Sequence, residues 1–362
     1  MKFVWLLALG SWAAGAWGHD YRIETVADGL DQPWSIVFVP DGRMLVTERA
    51  GRLRVIEDGR LLDRPVAGVP EAYVRSQGGL FEVLLDPDWE NNGWVYLSFA
   101  HGTARANATR VVRGRLDGMR WTDQEILFTA RPTKSTPVHY GGRMDFLADG
   151  SLVIGLGDGF DYREDAQRLD SHTGTIVRIH TDGGVPDDNP FVGRKNALPE
   201  IYSYGHRNIQ GLVFDTQNGL LWSHEHGPRG GDELNLIAPG ANSGWPVATF
   251  GVDYSGARIT PYTSRPGMVD PLVDWTPSIA PSGMTRYQGE MFPDWDGDLF
   301  VTALVERSVR RVVVDGERVV TQEKLFTEIG ERLRDIKTGP DGALFILTDK
   351  PDGRILKVTA PR

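Results

Sequence analysis

No cysteine occurs among the 362 residues, which excludes disulfides, thiolate metal sites and a lipidated cysteine. Stability therefore rests on the core, on closure of the fold and on any bound metal. Basic clusters are missing too: the formal net charge is −10, with no block of Lys or Arg anywhere. Nucleic acid and anionic membranes both recruit proteins through clustered cations, so neither is an expected partner. The apolar run nearest the start, residues 3–9, follows Lys2 and precedes Ala16-Trp17-Gly18. It falls well short of the roughly 20 residues that span a bilayer, and has the form of a secretory signal. The expectation is a cleavable signal over 1–18, a periplasmic or secreted protein without membrane insertion, and a single domain over 19–362. Helical periodicity is the last absence. Almost no stretch carries apolar residues at a 3.6-residue spacing, which argues against a (β/α)8 barrel.

What is present is a repeat. Six times a short apolar strand enters an Asp- or Gly-containing turn and leaves as a second apolar strand: 36–39 to 44–47, 82–85 to 94–99, 144–147 to 152–156, 212–214 to 220–223, 284–287 to 298–303, and 336–338 to 343–347. Asp41-Gly42, Asp149-Gly150, Asn218-Gly219, Asp296-Gly297 and Asp341-Gly342 supply the positive φ that tight hairpin turns require. A third strand follows most copies, as at 52–56, 175–179, 310–314 and 355–358. The turns recur at irregular intervals of roughly 45 to 80 residues, which suits propeller blades with long connections better than a strict solenoid. The predicted fold is all-β: a six-bladed β-propeller with four-stranded antiparallel blades. Residues 21–27 are expected to close the ring beside the last strands. Long irregular segments at 129–140, 159–174, 181–200 and 240–275 read as ordered pocket walls.

Polar residues gather where these hairpins begin and end. The ends of a hairpin lie side by side, so His139, before the third copy, should neighbour Asp158, after it. A carboxylate there fixes the imidazole tautomer and supports a proton-accepting histidine, although the pair alone also fits a structural hydrogen bond. The fourth hairpin repeats the arrangement, with Arg207 and Asn208 before it and His224, Glu225 and His226 after it. Blades share an orientation, so both sets should face the same way. Gly227-Pro228 can aim carbonyl oxygens at a hard cation, while an isolated Gly-Pro is ordinarily just a turn. Asp232 and Glu233 can ligate a metal or cap a loop. Arg332 and Arg334 alternate on a strand-like segment and make a polyanion site, or a solvated pair. Gln77, entering the second hairpin, completes the set. Gly155-Leu156-Gly157-Asp158-Gly159 mimics a nucleotide loop, but no helix follows to receive a phosphate.

Taken in order, the stretches Gly29-Leu30-Asp31-Gln32-Pro33-Trp34, Gln77-Gly78-Gly79-Leu80, His139-Tyr140-Gly141-Gly142-Arg143, Gly157-Asp158, Tyr204-Gly205-His206-Arg207-Asn208, His226-Gly227-Pro228 and Asn242-Ser243-Gly244-Trp245-Pro246 resemble the soluble quinoprotein sugar dehydrogenases, the aldose sugar dehydrogenase and glucose/sorbosone dehydrogenase family. The resemblance covers 22–358. It implies a propeller that binds pyrroloquinoline quinone (PQQ) and Ca2+ and oxidises the C1 hydroxyl of an aldose to the aldonolactone. It further implies that His139 is the base, Asp158 its orienting partner and Arg207 a polarising group. Gln77, Asn208, Arg332 and Arg334 become the PQQ contacts. The Gly227 and Pro228 carbonyls become the ligands of the cofactor-bound calcium, and Glu233 with the Ser243 carbonyl a second calcium site. The other histidines of this region, His206, His224 and His226, become wall and supporting residues.

Two positions depart from the family pattern. Ser243 stands where the family often has tyrosine. Val305 stands where it typically has a lysine contacting the cofactor, so that Arg143 or Arg307 substitutes or affinity falls. The competing readings are a calcium-dependent lactonase or esterase, needing a side-chain carboxylate cage in the central channel, and a cofactor-free binding propeller. The sugar, the electron acceptor and the choice between monomer and homodimer are not encoded in any of these motifs.

Overall fold

The structure, a computed structural model, describes residues 19–361; the expected signal segment lies outside them. Six four-stranded antiparallel sheets are arranged as the blades of a propeller. Their innermost strands are Pro33–Phe38, Leu80–Leu85, Gly141–Phe146, Ile209–Asp215, Pro281–Arg286 and Leu333–Thr338, and those of successive blades pack on one another. The sixth blade is completed by the N-terminal strand Arg22–Leu30, which pairs antiparallel with Gly353–Thr359 and so closes the ring as expected. Among the described residues, helix is limited to Trp89–Asn92 and three short 3-10 segments. No helix of these residues is long and apolar enough to cross a membrane.

The strands read as nearly continuous apolar runs because each sheet is buried on both faces. Six clusters of buried hydrophobic side chains lie between adjoining blades. Tyr96 and Val111 of the second blade, for example, pack on Met144 and Ile154 of the third. Burying one Leu- or Phe-sized side chain contributes about 1.5–3 kcal/mol, so the seams between blades are a main source of stability. The turns have the expected chemistry: Gly150 sits at φ +78°, and Asp149 Oδ1 accepts from the Ser151 amide at 3.0 Å.

Every innermost strand begins two or three residues earlier than the apolar pattern suggests, and each has a register shift near its start. The reason is that those first residues face the propeller axis, where polar groups are paired. Ser35, Glu82, Arg143, Gln210, Ser282 and Asp335 come one from each blade and are all buried. Arg143 ties them together. Its Nη1 lies 2.9 Å from Glu82 and 3.0 Å from Asp335, and it donates to the carbonyls of Gln210 at 2.8 Å and Ser282 at 2.6 Å. Ser35 Oγ donates to Glu82 at 2.8 Å, which draws the first blade into the same knot.

Candidate active site

The site lies on the face where the innermost strands begin. A cavity of about 400 Å³ opens there, and all six blades contribute to it: Gln32, Trp34 and Arg49; Gln77 and Phe81; Tyr140 and Gly141; Asn208, Gln210 and His226; Ala280 and Leu304; Arg332, Arg334 and Asp349. Aromatic rings and amides make up much of its wall, and Arg49, Arg332 and Arg334 supply the cations. Both Arg332 and Arg334 reach Asp349, at 2.9 and 3.0 Å. Burial pushes the Asp349 carboxyl up, but the two guanidiniums outweigh this and hold it below the usual carboxylate range. With three guanidiniums against one carboxylate, the cradle is locally positive on a protein that is acidic as a whole, the electrostatics that suit a polyanion.

Beside it lies the His139–Asp158 couple. His139 Nδ1 and Asp158 Oδ1 are 2.7 Å apart. Asp158 Oδ2 accepts from Trp245 Nε1 at 2.8 Å, and its Oδ1 accepts from the Phe160 amide at 2.8 Å. An ionised carboxylate can only accept, so Nδ1 carries the proton and Nε2 is left with its lone pair. Burial pulls the His139 pKa below its ordinary value, and the Arg207 and Lys134 charges act in the same sense, against the upward pull of Asp158. For Asp158 itself, burial raises the pKa, but the hydrogen bond from His139 and the nearby positive charges bring it below normal. A neutral imidazole over a carboxylate is a proton acceptor waiting for a proton.

The backbone explains why His139 sits there. Its φ is +50°, in the left-handed region, and its amide donates to Gln77 Oε1 at 2.8 Å, which holds the turn. A Cβ on Gly157 would strike the His139 carbonyl, so the close approach requires glycine there. The third and fourth blades are then stitched at one rim: the Asp158 amide donates to the Arg207 carbonyl at 2.8 Å, and Asn208 Oδ1 accepts from the Gly141 amide at 3.3 Å.

Arg207 is 3% exposed. It donates to the His226 carbonyl at 2.8 Å and the Gly227 carbonyl at 2.5 Å. It also lines a second cavity of about 290 Å³ with Asp158, Phe160, Asp161, Arg163, Pro228, Trp245, Asp253, Tyr254 and Ile259. Asn208 lines the first cavity and Arg207 the second, so the two adjoin at this dipeptide. The Gly227-Pro228 turn is held from behind by Asp232, which accepts from the Gly227 amide at 2.9 Å and the Ala280 amide at 2.8 Å.

Gln77, His139, Asp158, Arg207, Asn208, Gly227, Pro228, Arg332 and Arg334 are thus brought to one face. Glu233 and Ser243 are not joined by any hydrogen bond among the described residues. Glu233 is buried beside Glu225, and burial together with that second carboxylate raises its pKa well above normal. The Ser243 amide donates to the Tyr204 carbonyl at 2.9 Å.

Of the long segments read as pocket walls, 159–174 and 240–275 do line the second cavity, the latter ending in the strand Val273–Trp275. The segment 181–200 does not. It contributes to neither cavity, and Asp188 pairs with Arg178 at 2.9 Å beside Asp149, which belongs to a turn on the opposite face.

Neither proposed substitute for the missing lysine serves the cradle: Arg143 is committed to the axial knot, and Arg307 does not line the cavity. Arg49 does line it, as does Asp349. Both stand where a second strand ends, next to a hairpin entrance. The pairing rule that located Asp158, applied to every blade, would have found them.

Residues 30–357 match the Glucose / Sorbosone dehydrogenase family. The chain belongs to that family. It is 41% identical to the Escherichia coli aldose sugar dehydrogenase YliI, over 98% of this chain and 96% of that protein. A crystal structure of a glucose dehydrogenase superposes with a TM-score of 0.91 at 44% identity, covering 94% of this chain and 100% of the other. The PQQ-bound aldose sugar dehydrogenase of Streptomyces coelicolor aligns at 27% identity with a TM-score of 0.77, over 94% and 99% of the two chains. Membership places the chain among sugar oxidoreductases.

Proposed function

We propose that this protein is a PQQ- and calcium-dependent aldose 1-dehydrogenase of the bacterial periplasm or exterior. The observation that carries the reading is the juxtaposition of a guanidinium cradle and a buried, neutral His139 held by Asp158. The cradle fits a flat tricarboxylate. Arg332, Arg334 and Arg49 would hold its carboxylates, Gln77, Asn208 and Gln210 offer amides, and Trp34 and Phe81 give apolar wall. The cofactor supplies the hydride acceptor, so that the aldose leaves as its lactone. His139 Nε2 takes the C1 hydroxyl proton, Asp158 keeps Nδ1 protonated and stabilises the imidazolium, and Arg207 holds positive charge at the junction of the cavities. The Gly227 and Pro228 carbonyls would hold a calcium ion there. Glu233, forced against Glu225 without a countercharge, suits a second hard cation, with the Ser243 carbonyl as a further donor.

The lactonase reading loses support from the axis. Arg143 and Lys337 occupy the channel with Glu82 and Asp335, so its carboxylates already have cations. Among the described residues, no group of three or more His, Cys, Asp or Glu is arranged to hold a metal. The test is to titrate the protein with PQQ, with and without Ca2+, and then to add an aldose and an artificial electron acceptor. A calcium-dependent absorbance change followed by dye reduction is expected. No PQQ binding and no dye reduction would overturn the proposal, and lactone hydrolysis without PQQ would favour the alternative.

A further inference from the structure

Lys134 is a partly buried cation that the proposed chemistry does not use. Its backbone pairs with Asn107, with N–H to carbonyl distances of 2.8 Å in both directions. Its Nζ donates to the Thr136 carbonyl at 2.6 Å and to Asn107 Oδ1 at 3.1 Å. It also sits 3.4 Å from the centre of the Tyr140 ring. These partners are all neutral, and no carboxylate of the described residues lies within ion-pair distance of Nζ. The side chain is pressed against the Asp158 turn: a Cβ on Gly159 would come 2.7 Å from its Cδ. Thr136 Oγ1 bonds the Gly159 carbonyl at 2.6 Å, so the lysine loop and the Asp158 turn form one unit.

We propose that Lys134 is a positioning residue for the base: its ammonium, held by the loop packed on the Asp158–Gly159 turn, adds to what keeps the imidazole unprotonated and ready to accept a proton. A positive charge there disfavours the imidazolium. Other charged or titratable groups around the couple are Arg207 and His226 of the fourth blade and Asp161, Arg163, Asp253 and Tyr254, which line the second cavity with Asp158; Tyr140 and Tyr162 border the lysine. Burial brings Lys134 down to about 7, against the pull of Asp158, so it is charged across the range in which His139 titrates. The inference rests on His139 being the base.

The test is the His139 titration followed by imidazole NMR in the cofactor-free protein, with the pH profile of kcat/KM in the loaded enzyme. In Lys134→Met the imidazole pKa and the acid limb should both move up by about 0.5–1 unit, the effect of losing one nearby charge in a protein-like dielectric. That corresponds to an additional three- to tenfold loss of rate on the acid side. Lys134→Arg, which keeps the charge, should restore the wild-type values. Should Lys134→Met fail to fold, Lys134→Gln, which retains a donor for Asn107 and Thr136, is read the same way. An unmoved imidazole in the neutral variant, or an equal shift in Lys134→Arg, overturns the proposal. Because the NMR titration needs no cofactor, an enzyme inert with PQQ but showing the shift would count against the functional reading alone.

Discussion

Replacing Asp158 by Asn tests the catalytic reading at its centre. The carboxylate accepts three hydrogen bonds, from His139 Nδ1, Trp245 Nε1 and the Phe160 amide. An amide of the same shape can keep the Trp245 contact through its oxygen and then turns its NH2 toward His139. The imidazole would respond by placing its proton on Nε2, the atom that must accept the sugar proton, and the charge supporting the imidazolium would be gone. A positioned general base typically contributes about 10²–10⁴-fold, so kcat is expected to fall by that factor, about 3–5 kcal/mol of barrier. PQQ affinity should change little, because Asp158 does not line the cradle. The assay pairs steady-state dye reduction with an absorbance titration of PQQ into wild type and variant. A variant whose kcat stays within tenfold of wild type refutes the role of the couple. Loss of PQQ binding in step with activity refutes the separation of cradle and base.

Three further outcomes follow from the same geometry. Since burial holds His139 below its ordinary pKa and the neutral form is the base, kcat/KM should be flat at neutral pH and fall only as pH drops through that lowered value; a rate already falling at about pH 7.5, a full unit above the ordinary histidine value, would remove His139 from this role. Arg143→Met leaves Glu82 and Asp335 buried without their main counter-ion, and breaking a buried pair in this way costs about 3–5 kcal/mol. Urea unfolding measures it, and a loss under about 1 kcal/mol would contradict the axial knot. Val305 is 61% exposed beside the cavity residue Leu304, so Val305→Lys adds a partly solvated cation. It should tighten PQQ by roughly 1.5- to fivefold, the range of about 0.2–1 kcal/mol for an exposed charge pair; an unchanged or weaker affinity by titration would show that a cation introduced at this position does not reach the cradle.

Much was legible from one dimension because its causes are local. Short apolar strands joined by Asp-Gly turns fix a hairpin wherever they occur, so six copies meant six blades, and the strand at Arg22–Leu30 was recognisable as the one left over. Hairpin pairing likewise brings His139 to Asp158 and Arg207 to the Gly227 turn on chain order alone. The misreadings share one origin. Ser35, Arg143, Gln210, Ser282 and Asp335 are polar, so the apolar pattern passed over the strand starts that contain them. They are buried only because six blades meet at an axis, and Arg143 went to that axis, not to the cradle. The segment 181–200 has a wall-like composition but lies on the far face, whereas 240–275, which also joins the third and fourth strands of its blade, reaches the second cavity; composition and strand count are the same for both, and only the folded chain separates them. Trp245 belongs to the site through a contact with a residue far away in the chain, Asp158. The sequence by itself determined the blades and the paired ends of each hairpin, which short-range sterics and pairing dictate. Closing the ring decided which polar side chains face one another across the axis, because only there do six separate strand ends become a single enclosed surface.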